Sequence, residues 1–304
     1  MAAPHEHDHF RMANARRMAV ALVVNLAMLA AAVVGWLVFD SVALLADAGH
    51  VLSDIGAIGL GMAAAWAATR PARGRHTFGL GRAEIFAAFA NGVALIAVAV
   101  WVFVEAIGRF SDVPDVNGVG VAAVGAFGLV GNGVAAVVLA RGERHDVNLE
   151  GVLRHSAADA LGSLGALAAG VVIAAGGPRE ADPVAALLIG CLIVLGSWRL
   201  IRDPLDVLLE SAPRGIDVDA VGDAMCRVDG VREVHDLHIW TVTSGFPALA
   251  AHLRVAPAGD TDAIRTEVEA MLRDRFGVTH TTLQTMAEPL LSIEDRRRAA
   301  DEPE

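Results

Sequence analysis

The chain has 304 residues, of which 55% are hydrophobic and 19% charged, and its mean hydropathy is +0.50. Such a composition excludes a disordered chain and is typical of a membrane protein. A net charge of −11 argues against a nucleic-acid partner, and the two cysteines, Cys191 and Cys226, exclude a disulfide scaffold and a four-cysteine zinc site.

Six apolar runs follow a polar, histidine-containing tail at residues 1–17. A helix needs roughly 20 apolar residues to cross a bilayer core. The predicted transmembrane domain, residues 18–204, therefore holds six helices, at 18–39, 44–68, 85–107, 119–140, about 153–175 and 184–201. A signal peptide is the alternative for the first run, but the apolar core of a signal peptide is shorter, at roughly 7–15 residues.

The placement of arginine predicts the orientation of these helices, because the chain has no lysine. Six spans place both termini on the same side of the membrane. The termini and loops on that side hold twelve arginines, whereas the loops on the opposite side hold only Arg109 and Arg179. Loops rich in basic residues stay in the cytoplasm. We therefore expect both termini to be cytoplasmic.

A second domain is predicted at residues 205–290, where the composition becomes mixed and water-soluble. Hydrophobic spacing predicts helices at 217–228 and 261–276 and strands at 231–242, 248–255 and 278–286. The order αββαβ indicates a small α+β domain. Residues 291–304 are predicted to form a flexible charged tail.

Two predicted spans carry the same motif, His-x-x-x-Asp, as His50 with Asp54 and His155 with Asp159. Residues four apart share one face of a helix, and ionisable groups in a bilayer are costly enough to be functional candidates. Two such helices facing each other offer two nitrogens and two oxygens, a tetrahedral set that suits Zn²⁺. A partly buried polar patch is the alternative interpretation.

Other residues near these motifs are also candidates. Asp47, about one turn before His50, is interpreted as a proton carrier or as a partner of the metal ligands, or else as a group near the outer surface. Five glycines lie beside the ligands and are interpreted either as sites of close helix packing or as ordinary glycines of the spans: Gly49, Gly56, Gly59, Gly162 and Gly165.

Five stretches together resemble the cation diffusion facilitator family of zinc exporters: 41–54 (SVALLADAGHVLSD), 76–91 (HTFGLGRAEIFAAFAN), 148–162 (NLEGVLRHSAADALG), 203–213 (DPLDVLLESAP) and 234–253 (VHDLHIWTVTSGFPALAAHL). The resemblance implies a six-helix transport domain, a cytoplasmic ferredoxin-like domain, a homodimer and metal–proton antiport. It also implies that the transport-site ligands are His50, Asp54, His155 and Asp159.

The resemblance extends to the second domain. His235 and His252 match positions that bind regulatory zinc in some relatives, and His280 is a further candidate. Charged residues at the cytoplasmic face are candidates for an interlock that orients the two domains, with solvated loop charges as the alternative: Arg82, Glu84 and Glu210.

The favoured hypothesis is a Zn²⁺/H⁺ antiporter that exports zinc, with Cd²⁺, Co²⁺ or Ni²⁺ as further substrates, by alternating access in a bacterial inner membrane. The arginine-only, alanine-rich usage and the short loops favour a bacterium over an organelle. A membrane metal sensor without transport is the second hypothesis. An intramembrane metalloprotease is the third, but its His-Glu-x-x-His pattern occurs only in the tail, at residues 5–9, so we expect no enzyme.

Overall fold

The computed structural model describes residues 4–140, 149–256 and 260–287, with the side chains of residues 20, 22–138, 157–256 and 260–287. The chain divides into two compact units. The first contains the chain up to Ala63 together with Ala87–Arg202, and the second contains Ala64–Phe86 together with the chain from Asp203 onward. The second unit therefore includes the connection between the second and third helices.

The first six elements along the described chain are long helices: α1 (Pro4–Phe39), α2 (Val42–Ala68), α3 (Ala83–Arg109), α4 (Gly118–Ala140), α5 (Leu149–Ala174) and α6 (Ala181–Leu208). Each contains a stretch of 18–28 described residues that is long and apolar enough to cross a membrane. The six predicted spans are confirmed.

The polarity of these helices is suited to lipid rather than to water. Large apolar side chains lie on the outside, such as Trp66 and Leu195, which are 64% and 72% exposed. Polar side chains such as Asp47, Asn132 and Ser163 are buried. Since lipid offers no hydrogen bonds, polar groups within a membrane protein find partners inside the protein.

Helices α4 and α5 pack backbone against backbone. A Cβ atom on Gly125 would lie 2.5 Å from the backbone nitrogen of Leu167, and one on Gly118 would lie 2.7 Å from the carbonyl oxygen of Gly170. Only glycine fits at such an approach, which is the usual device for close helix packing in membranes.

Of the two interpretations of the glycines beside the ligands, close packing is wrong at two positions. A Cβ atom on Gly56 or Gly59 of α2 would have no described atom within 4 Å, so neither glycine is needed for close packing. Gly162 and Gly165 would make ordinary contacts at 3.6 Å, with Asp47 and Ile189. Gly49 does lie at a close approach, because a Cβ atom there would overlap Cγ1 of Val98 on α3. The backbone-to-backbone contact at Gly125 and Gly118 lies between α4 and α5.

The second unit contains α7 (Val218–Cys226), β1 (Val231–Thr243), β2 (Phe246–Val255), α8 (Thr261–Phe276) and β3 (His280–Ala287). The sheet has the order β1-β2-β3, with β1 antiparallel and β3 parallel to β2. This confirms the predicted αββαβ order. Leu249, Leu253, Val268 and Leu272 are fully buried between the sheet and the helices.

Local chemistry explains where the two helices of this unit begin and end. Asp217 and Asp260 precede α7 and α8, and each carboxylate accepts hydrogen bonds from two backbone N–H groups of the first turn. Such caps satisfy N–H groups that have no partner within the helix. Gly277 ends α8 at φ 68°, a left-handed conformation that favours glycine.

We predict that Gly125→Ala lowers the midpoint of thermal unfolding, because forcing an atom into the α4–α5 contact costs about 1–3 kcal/mol. Gly133→Ala, on the same helix, is the matched control, since a Cβ atom there would meet no described atom within 4 Å. Scanning fluorimetry of the full chain in detergent measures both midpoints. Equal midpoints would contradict the close packing.

Candidate functional site

Three ionisable side chains from two helices meet inside the bundle. His50 and Asp54 lie on α2 and Asp159 lies on α5, and a ligand atom of each lies within 4.8 Å of the others. Nε2 of His50 is 2.8 Å from Oδ1 of Asp159, at hydrogen-bond distance. These two side chains are only 18% and 13% exposed. The structure thus brings together three of the four predicted ligands.

The fourth predicted ligand, His155, has a side chain outside the described residues. Its backbone belongs to α5, one turn before Asp159. Residues four apart on a helix share one face, so the spacing that joins His50 to Asp54 also applies to this pair. The role of His155 stays a prediction.

The chemistry of the three described ligands suits a divalent transition metal. Zn²⁺ is bound by imidazole nitrogens and carboxylate oxygens at about 2.0–2.2 Å, usually in a tetrahedral arrangement. One nitrogen and two oxygens, close enough to converge on one ion, supply three corners of that arrangement. Imidazole and carboxylate ligands also accept Co²⁺ and Ni²⁺, so the ligand types alone do not choose among these metals.

A second polar group of α2, Asp47, lies beside this cluster but outside it. Asp47 is 3% exposed and accepts a hydrogen bond of 3.3 Å from the hydroxyl of Ser163 on α5. The amide of Asn132 on α4 lies 3.2 Å from the same hydroxyl. Ser163 is not part of the repeated sequence motif, although it follows Asp159 by four residues and so shares its face of α5. These contacts connect α2, α4 and α5.

The three residues predicted to form an interlock are all found in the second unit. Glu84, in the first turn of α3, accepts hydrogen bonds from the hydroxyl of Thr243 and, at 3.1 Å, from the N–H of Ser244. Arg82 donates to the carbonyl oxygen of Val242 at 3.2 Å. The contact between Arg82 and Glu210 is long, at 3.4 Å, and exposed, so it contributes little stability. Glu84 holds the turn between β1 and β2 more firmly.

The histidines of the sheet do not all lie together. His235 and His252 are paired across β1 and β2, with ring centroids 5.2 Å apart. Between His235 and His238 the strand has an irregularity at which Asp236 takes φ 53°, and Oδ2 of Asp236 lies 3.9 Å from Nε2 of His252.

His280 lies in a different part of the sheet. On β3 it is opposite Ala248, whereas the residue opposite His252 is Gln284. Four residues along a strand correspond to about 13 Å. The ring of His280 instead packs edge-on against Phe78 and Phe246. The described geometry therefore brings His235 and His252 together without His280.

Two family patterns match most of the chain. Residues 18–209 match the cation efflux transmembrane domain, and residues 213–287 match the cytoplasmic domain of cation efflux proteins. The chain belongs to the cation efflux family. The resemblance found in the sequence is therefore confirmed, and the α+β unit that follows the six spans is the cytoplasmic domain of this family.

Bacterial relatives match the chain over nearly its whole length. The zinc transporter ZitB of Pectobacterium atrosepticum is 35% identical, over 92% of this chain and 88% of the relative. The metal cation efflux system protein CzcD of Cupriavidus metallidurans is 35% identical, over 93% and 90%. A cadmium, cobalt and zinc/H(+)-K(+) antiporter of Bacillus velezensis is 33% identical, over 92% and 91%.

These relatives are transporters rather than enzymes, and the expectation that the chain is no enzyme is confirmed. The protein is a multi-pass bacterial membrane protein of a metal cation efflux family.

We predict that Glu84→Ala increases hydrogen–deuterium exchange of the β1–β2 turn about tenfold, because Ser244 and Thr243 lose an acceptor worth roughly 1–3 kcal/mol. Mass spectrometry of peptides covering residues 240–248 measures this exchange. Glu233→Ala, which removes an exposed pair with Arg254 on the same strands, is the control and leaves the turn unchanged. Equal exchange in both variants would contradict the role of Glu84.

Proposed function

We propose that this protein exports zinc from the bacterial cytoplasm in exchange for protons. The observation that carries the proposal is the meeting of His50, Asp54 and Asp159 within a bundle of apolar, membrane-length helices. The names of the relatives support it, since they include a zinc transporter and an antiporter of cadmium, cobalt and zinc.

The proposed cargo site holds Zn²⁺ between α2 and α5, with His155 as the fourth ligand. Two nitrogens and two oxygens complete a tetrahedron, and the surrounding apolar helices exclude competing water ligands. Cd²⁺, Co²⁺ and Ni²⁺ are further cargo candidates, because selection among such metals depends on geometry and availability as well as ligand type.

Exchange with protons follows from the chemistry of these ligands. Zinc requires a neutral imidazole and ionised carboxylates, so protons and metal compete for the same atoms. Nε2 of His50 and Oδ1 of Asp159 lie at hydrogen-bond distance, so a proton that these two ligand atoms share would have to leave before both bind the metal. Zinc entering from a neutral cytoplasm displaces that proton, and protons from a more acidic exterior displace the zinc.

Alternating access requires that the site open to one side at a time. The arginine distribution supports a topology in which the protein spans the inner membrane with both termini in the cytoplasm. Rocking of helices around a fixed midplane site then changes the side to which the site opens. In this scheme Asp47 supports the site through Ser163 and Asn132, and the alternative is that it carries one of the exchanged protons.

The cytoplasmic domain is proposed to join two chains into a homodimer and to bind a regulatory metal. His235 and His252 are adjacent across two strands, and the carboxylate of Asp236 lies beside them. Arg82, Glu84 and Glu210 would then transmit a change in this domain to the start of α3.

We predict that Asp54→Asn and Asp159→Asn each abolish zinc flux, because the neutral amide has no charge to bind the metal. The measurement is zinc uptake into proteoliposomes with an imposed pH gradient, with Asp40→Asn as the control because that carboxylate is 59% exposed. Zinc binding without flux in the wild type would favour the sensor. Flux that persists in both variants would show that zinc binds elsewhere.

A second prediction concerns the sheet. We expect His235→Ala and His252→Ala to reduce the number of zinc ions bound per chain while transport continues. His280→Ala serves as the control and leaves the number unchanged, because β3 places His280 opposite Ala248. Equilibrium dialysis with elemental analysis counts the bound zinc. An equal loss of bound zinc in all three variants would indicate that His280 also belongs to the site.

A further inference from the structure

A buried carboxylate from α6 holds the beginning of α2. Asp182 is fully buried, in the first turn of α6. Its Oδ2 accepts a hydrogen bond of 2.7 Å from the N–H of Val42, and its Oδ1 accepts one of 3.4 Å from the N–H of Ala43. The hydroxyl of Ser41, also fully buried, donates to the same carboxylate. One side chain therefore receives three hydrogen bonds from the start of another helix.

This arrangement is an N-cap supplied from a distant part of the chain. The first N–H groups of a helix have no partner within the helix, and a residue just before the helix usually satisfies them. Here Ser41 satisfies the N–H of Leu44, at 3.2 Å, and Asp182 satisfies the N–H groups before it. A negative charge at a helix N-terminus is also favoured by the helix dipole.

A cation from α3 holds the turn between α1 and α2. Between α1 and α2, Asp40 takes φ 53°, which turns the chain sharply. Arg109, at the end of α3, donates to the carbonyl oxygen of Asp40 and, at 2.7 Å, to its carboxylate. Arg109 also pairs with Glu105, at 3.2 Å. Arg109 therefore holds the exposed turn before α2, whereas Asp182 holds the first turn of α2 itself.

Burial along α2 shows that this end is the one held by the rest of the bundle. Residues 42–48 are all between 0% and 5% exposed. Toward the other end, Leu60, Met62 and Trp66 are 43%, 63% and 64% exposed. His50 lies eight residues beyond Val42, which corresponds to about 12 Å along a helix axis. A rotation of the first turn about the axis of α2, or a shift along that axis, therefore also moves His50.

We infer that Asp182 is a positioning residue for the metal site. By capping α2 from α6, it fixes the rotation of α2 about its axis and the position of α2 along that axis. These two quantities determine how His50 and Asp54 face Asp159. It does not touch the cargo itself, and it acts through the hydrogen bonds to Ser41, Val42 and Ala43. The inference rests on the proposed function, since it takes the cluster of His50, Asp54 and Asp159 as the transport site.

The test compares Asp182→Asn, Asp182→Ala and Ser41→Ala in the proteoliposome assay. The readouts are the zinc concentration that gives half-maximal flux and the maximal rate per folded transporter. We expect the half-saturating concentration to rise about five- to tenfold in Asp182→Asn, which keeps one acceptor oxygen, and further in Asp182→Ala, in line with the loss of a helix cap. Asp40→Asn is the matched control, because asparagine tolerates the left-handed conformation, and it keeps the wild-type value.

A purely structural role predicts a different pattern. Asp182 variants would then yield less folded protein, with the half-saturating zinc concentration unchanged in what remains, and this result would overturn the inference. An equal rise of the half-saturating zinc concentration in Asp40→Asn would also overturn the inference. Any disturbance of the turn between α1 and α2 would then have the same effect as loss of the cap. If Asp182→Ala does not fold, Asp182→Asn and Ser41→Ala provide the comparison.

The two proposals fail in distinguishable ways. If Asp159→Asn transports zinc normally, the transport site itself is misplaced. If Asp159→Asn abolishes flux while Asp182→Asn has the wild-type half-saturating concentration, the site stands and only the positioning role of Asp182 fails.

Discussion

A carboxylate among apolar helices needs a partner, and this requirement organises the bundle. Asp159 is partnered by His50, Asp47 by Ser163, and Asp182 by the first turn of α2. Each partner belongs to a different helix from the acid. Since a buried charge without a partner is very costly, satisfying these acids also fixes which helices lie side by side. The polar contacts that make a cargo site possible are thus the same contacts that specify the packing.

The contact between His50 and Asp159 joins two atoms that the proposed function assigns to the metal. An incoming cation would therefore compete with an interaction that the protein itself makes. Under the proposed function, this competition makes exchange the natural outcome, because the site is satisfied by either occupant. A site with no internal partner would bind metal more tightly and release it less readily.

The sequence predicted features that depend on local pattern. The length of the apolar runs predicted the six helices, and the alternation of apolar residues helped to predict the αββαβ domain. The repeated His-x-x-x-Asp motif predicted His50, Asp54 and Asp159 as ligands. It missed the cap on α2, because Asp182 is distant from Ser41 along the chain and looks like an ordinary first-turn acid. It also did not distinguish the glycines at close helix contacts, such as Gly49 and Gly125, from those in open surroundings, such as Gly56. A glycine in an apolar span has similar neighbours in sequence in either case.

The glycine contact between α4 and α5 has a mechanical consequence. Backbones that touch at Gly118, Gly125 and Gly170 leave no slack for one helix to slide or tilt against the other. We expect the two helices to move together as one rigid unit that includes Asp159. Under the proposed function, opening of the cargo site would then require these two helices to move away from α2. Zinc bound between His50 and Asp159 would act as a removable crosslink between the two parts.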